Sequence, residues 1–331
     1  MLHAFALALA PLLQEEDPNV PDAPVRAVLV EVQRIWDAAP HSAFTDLARF
    51  DERFYCAFRE GRGHVSTDGR LRVLASDDGE AWEPAGLLEL AGFDLRDAHL
   101  SVTSDRRLCL VGGAAPRAED GARAPTGSVV SFSNDGATWT PVQIVSEPGR
   151  WLWSVTWHGG HAYGVTYAAG EGAPWTSLVR SADGRAFEVL VPELLGASAP
   201  NETRLVFDER GVCHALARCE KGPAQLGVSP PPYDDWTWKA LDGYLGGPNL
   251  TRTPGGRWLA GGRRKDGGVH TALLLVEPQS GALTEILGLP SGGDTSYPGF
   301  VWHAGELWMS YYSSHEGKAS IYLARIRVEE G

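Results

Sequence analysis

Apolar residues in this chain gather into short runs separated by polar, glycine-containing turns. RLRVLAS (70–76), GSVVSFS (127–133) and TSLVRS (176–181) are the clearest, each of strand length. No stretch sustains an apolar period of 3.6 residues, so helix is expected to be minimal. The three runs lead into one pattern, S-x-D-G-x-x-[W/F]. It occurs as Ser76-Asp77-Asp78-Gly79-Glu80-Ala81-Trp82, Ser133-Asn134-Asp135-Gly136-Ala137-Thr138-Trp139 and Ser181-Ala182-Asp183-Gly184-Arg185-Ala186-Phe187, at intervals of 57 and 48 residues. Asp-Gly is a hairpin turn in which Asp caps the backbone and Gly supplies the positive φ, and the following aromatic can fold back over it.

A larger unit recurs around these turns: a polar inner segment, an apolar strand, a hairpin, another strand, then the turn and a last strand. Six units begin near Ala43, Ala98, Trp153, Glu202, Asn249 and Tyr297, with starts 47 to 55 residues apart. Four short strands per unit at a period near 50, with no helix, predict an all-β, six-bladed β-propeller of four-stranded antiparallel blades. The early strand AVLVEV (27–32) is expected to close the ring against the final strand, 321–328. No linker splits the chain, so residues 26–331 are read as one domain. Residues 1–25 are read as a leader and flexible segment. Its apolar run 5–13 (FALALAPLL) contains Ala8-Leu9-Ala10, a small-residue cleavage pattern, but no Lys or Arg precedes it. Export to a secreted or periplasmic location is the expectation, with a cytoplasmic one left open.

Composition narrows the function. Hydrophobic residues make up 43% and charged residues 21% of the 331, enough for a large core and too much for global disorder. No apolar run reaches the roughly 18 residues of a membrane helix. The net charge of −13 offers no basic patch for nucleic acid. Cys56, Cys109, Cys213 and Cys219 lack zinc spacing and read as small buried hydrophobes.

The repeated S-x-D-G-x-x-W turn resembles the Asp-box of sialidases (neuraminidases), whose catalytic domain is a six-bladed propeller. The resemblance spans the chain from about residue 26 onward. It implies that the boxes, with Trp82 and Trp139, are structural and peripheral, and that chemistry belongs at the inner-strand ends. Three places there match the family. Asn201-Glu202-Thr203-Arg204 followed by Ala217-Arg218 is similar to the fourth blade, where a Glu serves as base and an Arg clamps the substrate carboxylate. Tyr297, in Asp294-Thr295-Ser296-Tyr297-Pro298, stands where the family carries its nucleophilic tyrosine. Glu60-Gly61-Arg62 with Asp68 resembles the E-x-R segment and the loop aspartate that acts as acid/base. A neutral phenol suits a sugar whose anomeric carbon bears a carboxylate, because an anionic nucleophile would be repelled. Guanidinium forks suit the carboxylate itself.

The sequence departs from the family in the first unit, where Arg-Ile-Pro is replaced by Ala43-Phe44-Thr45-Asp46. Arg59 or His41 could fill that space, and Asp46 joins the substrate-binding candidates. Arg263, beside Arg264, is the candidate third clamp, with His64 a proton shuttle or sugar contact and Trp153 a stacking platform. The resemblance thus implies an exo-acting, retaining glycoside hydrolase releasing a terminal acidic sugar from a glycan, with Tyr297, Glu202 and Asp68 catalytic and Arg218, Arg62, Arg59 and Arg263 holding the carboxylate. No metal or organic cofactor is implied, since proton transfer and a covalent intermediate suffice. Two alternatives stay open: a non-catalytic glycan-binding propeller, and a lyase or hydrolase for another uronic-type sugar.

Overall fold

The computed structural model describes residues 24–117, 126–168, 175–196 and 198–331; the expected leader run, 5–13, lies outside them. The described residues form six four-stranded antiparallel sheets and no helix. Each blade runs from an inner strand on the axis to an outer one at the rim. The inner strands are His41–Phe50, Phe93–Val102, Arg150–His158, Pro200–Phe207, Gly246–Arg252 and Thr295–His303, for blades one to six. The sixth blade takes its outer strand from the start of the chain: Val25–Trp36 pairs antiparallel with Ser320–Glu330. The first and last strands are thereby held in one sheet, as the AVLVEV strand leads one to expect. Among the described residues, no helix is long and apolar enough to cross a membrane.

Burial follows from the wedge geometry. The second strand of blade one, Arg53–Gly61, is covered on both faces, because neighbouring blades pack against each. Phe54 stacks on Trp308 of blade six at 4.6 Å between ring centroids. Its neighbour Tyr55 points the other way and donates to the Asp135 carbonyl of blade two. A strand buried on both faces needs apolar residues at consecutive positions, which is why RFYCAF shows no alternation. The outer strand Glu83–Leu88 is half exposed, with Leu88 alone buried. Cys56, Cys109, Cys213 and Cys219 are unpaired thiols buried in these layers.

The three S-x-D-G-x-x-[W/F] turns join third strands to fourth strands at the rim. In the first, Asp78 Oδ1 accepts the Glu80 and Ala81 amides at 2.8 and 3.0 Å, and Ser76 Oγ accepts the Gly79 amide at 2.7 Å. Trp82 Nε1 closes the turn by donating to the Gly79 carbonyl. The turns at Asp135 and Asp183 repeat the amide caps. Gly79 has φ +78°, and a Cβ there would lie 2.0 Å from the Trp308 ring. Gly79→Ala is therefore expected to destabilise by about 2 kcal/mol or more, through strain and displacement of Trp308. A thermal melt of the variant beside wild type checks this, and an unchanged midpoint would show that the turn does not set blade packing.

Every inner strand also carries a bulge near its start, where two residues oppose one on the next strand. The pairs are Phe44-Thr45, Asp97-Ala98, Trp153-Ser154, Asn201-Glu202, Gly247-Pro248 and Tyr297-Pro298. Bulges re-aim side chains, and here six of them ring one end of the axis.

Candidate active site

The bulges bring Tyr297 and Glu202 together. Tyr297 Oη donates to Glu202 Oε1 at 2.6 Å, across 95 residues of sequence. The same oxygen accepts Arg218 Nη1 at 2.7 Å, and Glu202 Oε2 accepts the Gly247 amide at 2.9 Å. Tyr297 reaches this place with φ 53°, a left-handed conformation that costs a bulky residue about 1–3 kcal/mol and persists only where surroundings enforce it. The enforcement is visible. Its ring packs on Phe44 and Trp153 at 5.0 and 5.2 Å. A Cβ on Gly247 would lie 2.7 Å from that ring, so glycine is required there.

Electrostatics keep the phenol neutral at rest. Burial pushes the Tyr297 hydroxyl well above the usual tyrosine range, and the charges of Glu202 and Asp97 push it further, against the pull of Arg218. Arg218 is held firmly cationic: burial opposes its charge, but Glu202 and Tyr297 outweigh that. It also pairs with Glu220. Arg263 lies on the same side, donating to the Thr295 carbonyl. Its charge is likewise retained against burial by Tyr312, Tyr297 and Tyr244.

A second carboxyl belongs to this group that the sequence reading passed over. Asp97 occupies the bulge position equivalent to Tyr297, also with positive φ, 50°. Burial, then the nearby charge of Glu202, raises its carboxyl to about 7. Two carboxylates in one hollow do not both ionise readily, so Asp97 keeps its proton near neutral pH. Tyr167 also belongs here, its hydroxyl raised by burial and by the charges of Asp97 and Glu202. The available signal for Asp97 was positional: it sits at the head of the second unit just as Tyr297 heads the sixth.

Because the carboxyl of Asp97 is raised in the folded state, its contribution to stability is full below pH 3.8 and is lost as pH climbs to about 7. Asp97→Asn is thus expected to raise the melting temperature at pH 8 and to change it little at pH 4. The window corresponds to at most about 4 kcal/mol. Melts at the two pH values check it, and an equal shift at both would remove the assignment.

The other expected residues divide sharply. Arg62 and Asp68 pair with each other at 3.3 Å, the arginine largely exposed. They line a shallow groove of about 350 Å³ with Glu60, Arg70 and Arg117, which neither Tyr297 nor Glu202 lines. Asp68 is held below the usual carboxylate range: hydrogen bonds from Ser66 and the Arg62 amide, with the Arg62 charge, outweigh burial. Arg59 is not free to clamp a ligand. It is fully buried, with its guanidinium donating to Asp94 at 2.9 Å, the Gly63 carbonyl at 2.8 Å and Ser66 Oγ at 2.8 Å, and so anchors the loop that carries His64. Asp46 does not face a sugar either. It accepts both oxygens' worth of contact from Arg204, at 3.0 and 2.9 Å, together with the Leu47 and Leu100 amides. Trp153 is a floor beneath Tyr297, 1% exposed and packed on His99 at 4.4 Å, leaving no face for stacking. His41 and His64 both reach the mouth of the hollow, meeting at Asp294.

A larger cavity, about 420 Å³, opens at the other end of the inner strands, among Leu47, Val155, Arg204, Leu205, Asn249 and Phe300. Its one cationic side chain, Arg204, is already committed to Asp46 and Asn249. The convergence of titratable groups lies instead around Tyr297, which makes that end the candidate active site.

Comparison with solved structures finds the same fold. A protein of unknown function from Dyadobacter fermentans superposes with a TM-score of 0.80 at 19% identity, over 94% of this chain and 100% of the other. A Trypanosoma rangeli sialidase gives 0.69 at 12% identity, over 87% of this chain and 55% of its own. A Streptococcus pneumoniae sialidase gives 0.67 at 11%, over 90% and 70%. The fold is sialidase-like. No family model and no curated protein matches the sequence. At these identities the sialidase-like propeller shares a scaffold with those enzymes, and the chain spans about half the length of the Trypanosoma rangeli protein.

Proposed function

We propose that this sialidase-like propeller is a retaining glycoside hydrolase that removes a terminal acidic sugar from a glycan. The observation that carries the reading is the 2.6 Å hydrogen bond between the Tyr297 phenol and Glu202 in a buried axial hollow. Glu202 takes the phenolic proton as Tyr297 oxygen attacks the anomeric carbon. The bond from that carbon to the departing oxygen breaks, and Asp97 supplies the proton to the leaving group. Water, deprotonated by Asp97, then cleaves the glycosyl–tyrosine bond, and Glu202 returns the proton to Tyr297. Arg218 and Arg263 hold the sugar carboxylate.

Asp97 takes the acid/base role in this reading rather than Asp68, for a physical reason. An acid must carry its proton at working pH. Asp97 does so up to about pH 7, whereas Asp68 is held ionised beside Arg62. Turnover is expected to fall as pH rises above about 7, and Asp97→Asn is expected to lower it by at least about 100-fold. The loss should be smaller on substrates with good leaving groups, which need little protonation. An equal loss on all leaving groups would assign Asp97 to binding.

The sugar is left at the level of its acidic class, because the stretch Ala43-Phe44-Thr45-Asp46 lacks the first-unit arginine of the resembled family and Arg59 is engaged with Asp94. A panel of fluorogenic sialosides and uronides tests the reading. Release of fluorophore from one of them supports it. Binding of an acidic glycan without release from any would favour the non-catalytic receptor, and unsaturated product would favour a lyase.

A further inference from the structure

The mouth of the hollow holds a group of side chains that the proposed mechanism does not use. His41 comes from the start of the inner strand of blade one, His64 from the loop after its second strand, and Asp294 from the approach to blade six. His41 Nε2 lies 2.9 Å and His64 Nδ1 2.7 Å from the same oxygen, Asp294 Oδ2. One ligand atom from each residue lies within 4.8 Å of the others. We propose that His41, His64 and Asp294 form a binding site for a divalent first-row cation of the Zn²⁺ class.

Three features support the assignment. The donor set, two imidazoles and one carboxylate, is that of open metal sites which keep positions for water or ligand. The spacing is near what an ion needs: tetrahedral ligand atoms about 2.0–2.1 Å from a metal stand about 3.4 Å apart, so each imidazole, now 2.9 or 2.7 Å from Asp294 Oδ2, would retreat by about half an ångström to admit it. The carboxylate is also pre-oriented. Tyr312 Oη donates to Asp294 Oδ1 at 2.9 Å, which turns Oδ2 toward the imidazoles. The Asp294 amide donates to Ser314 Oγ at 2.9 Å, and the Asp294 carbonyl accepts the Ser314 amide. Outer hydrogen bonds of this kind fix ligand orientation in metal centres.

The location gives the cation a task. The His64 ring packs edge-on against Phe44 at 5.1 Å, and Phe44 against Tyr297 at 5.0 Å. The cation thus stands on the first-blade side of the hollow, where Arg59 is committed to Asp94. There Asp294 alone would repel an anionic sugar, and a bound divalent cation reverses that sign. Its open positions would take a carboxylate or hydroxyl oxygen of the ligand. This last step rests on the proposed glycosidase reading, whereas cation binding does not. It departs from the metal-free expectation drawn from the sequence.

The test uses the full chain, stripped with chelator and titrated with Co²⁺ while visible absorbance is followed, then competed with Zn²⁺. One equivalent of Co²⁺ giving a d–d band, displaced by one equivalent of Zn²⁺, is expected. His64→Gln, at a half-exposed position, should weaken binding at least 100-fold, and Tyr312→Phe by about tenfold, within the range for outer-shell partners. Absence of a saturable band in wild type, or equal binding by His64→Gln, overturns the site. Adding N-acetylneuraminate or glucuronate to the Co²⁺ form should shift the band if the cation meets the sugar. A band that neither sugar moves overturns that role while leaving the metal site standing, and both outcomes are read without any turnover.

Discussion

Tyr297→Phe is expected to abolish turnover of an acidic glycoside, by at least about 1,000-fold in kcat, while leaving the fold intact. The nucleophile is lost outright, and no second hydroxyl takes its hydrogen bond to Glu202 among the described residues. The architecture tolerates the change. The ring keeps its contacts with Phe44 and Trp153, and Glu202 keeps Arg218 and the Gly247 amide. Only a single hydrogen bond disappears, a cost of about 1 kcal/mol. Ligand affinity should therefore persist, because Arg218 and Arg263 are untouched. The check is steady-state kinetics beside equilibrium binding of the free sugar. Retained turnover would remove Tyr297 from the chemistry. Loss of turnover and binding together, with an intact fold, would assign it to recognition.

The largest stability effect is expected at Asp46→Ala. Asp46 is fully buried at the centre of the ring, where burial alone would push its carboxyl up but Arg204 and His99 hold it below the usual range. Through it, blade one is joined to the Leu100 amide of blade two and to Arg204 of blade four, and Arg204 continues to Asn249 of blade five. Removing the anion leaves a guanidinium in a hollow that is only partly wet, a loss of about 3–5 kcal/mol. For a chain of this size that is a drop of roughly 5–8 °C in melting temperature. The double variant Asp46→Leu/Arg204→Met removes both charges and should recover a large part of it. A thermal melt of single and double variants decides. A near-neutral Asp46→Ala would mean that blades one and four are not clamped through this pair.

The architecture was legible because it is written in local chemistry. Three Asp-Gly turns and apolar runs of strand length recur about every 50 residues, and each works within a few residues of itself. Glu202, Arg218 and Tyr297 were legible for a different reason: Glu202 and Tyr297 sit at inner-strand starts, Arg218 at the facing end of the next strand, and the repeat brings those ends to one axis. What the sequence could not convey is which way a side chain turns once there. Asp97 is aimed inward by a bulge and a positive φ, neither of which leaves a mark in the sequence. Arg59 matched the composition of a clamp, but Asp94 lies 35 positions away, and only packing brings it into contact. Asp46 and Trp153 failed as sugar contacts similarly. A charged or aromatic residue on the axis is as useful for joining blades as for meeting a ligand, and its partners, Arg204 and His99, come from other blades.

Intact-protein mass spectrometry after exposure to a fluorinated acidic-sugar donor with a good leaving group addresses the pairing of phenol and carboxylate most directly. Fluorine beside the anomeric carbon slows the second step, so the glycosyl–enzyme accumulates. A gain of one sugar mass, mapped to the peptide containing Tyr297 and absent from Tyr297→Phe, is the predicted result. An adduct on another residue, or turnover of the parent glycoside with no adduct at all, would contradict it.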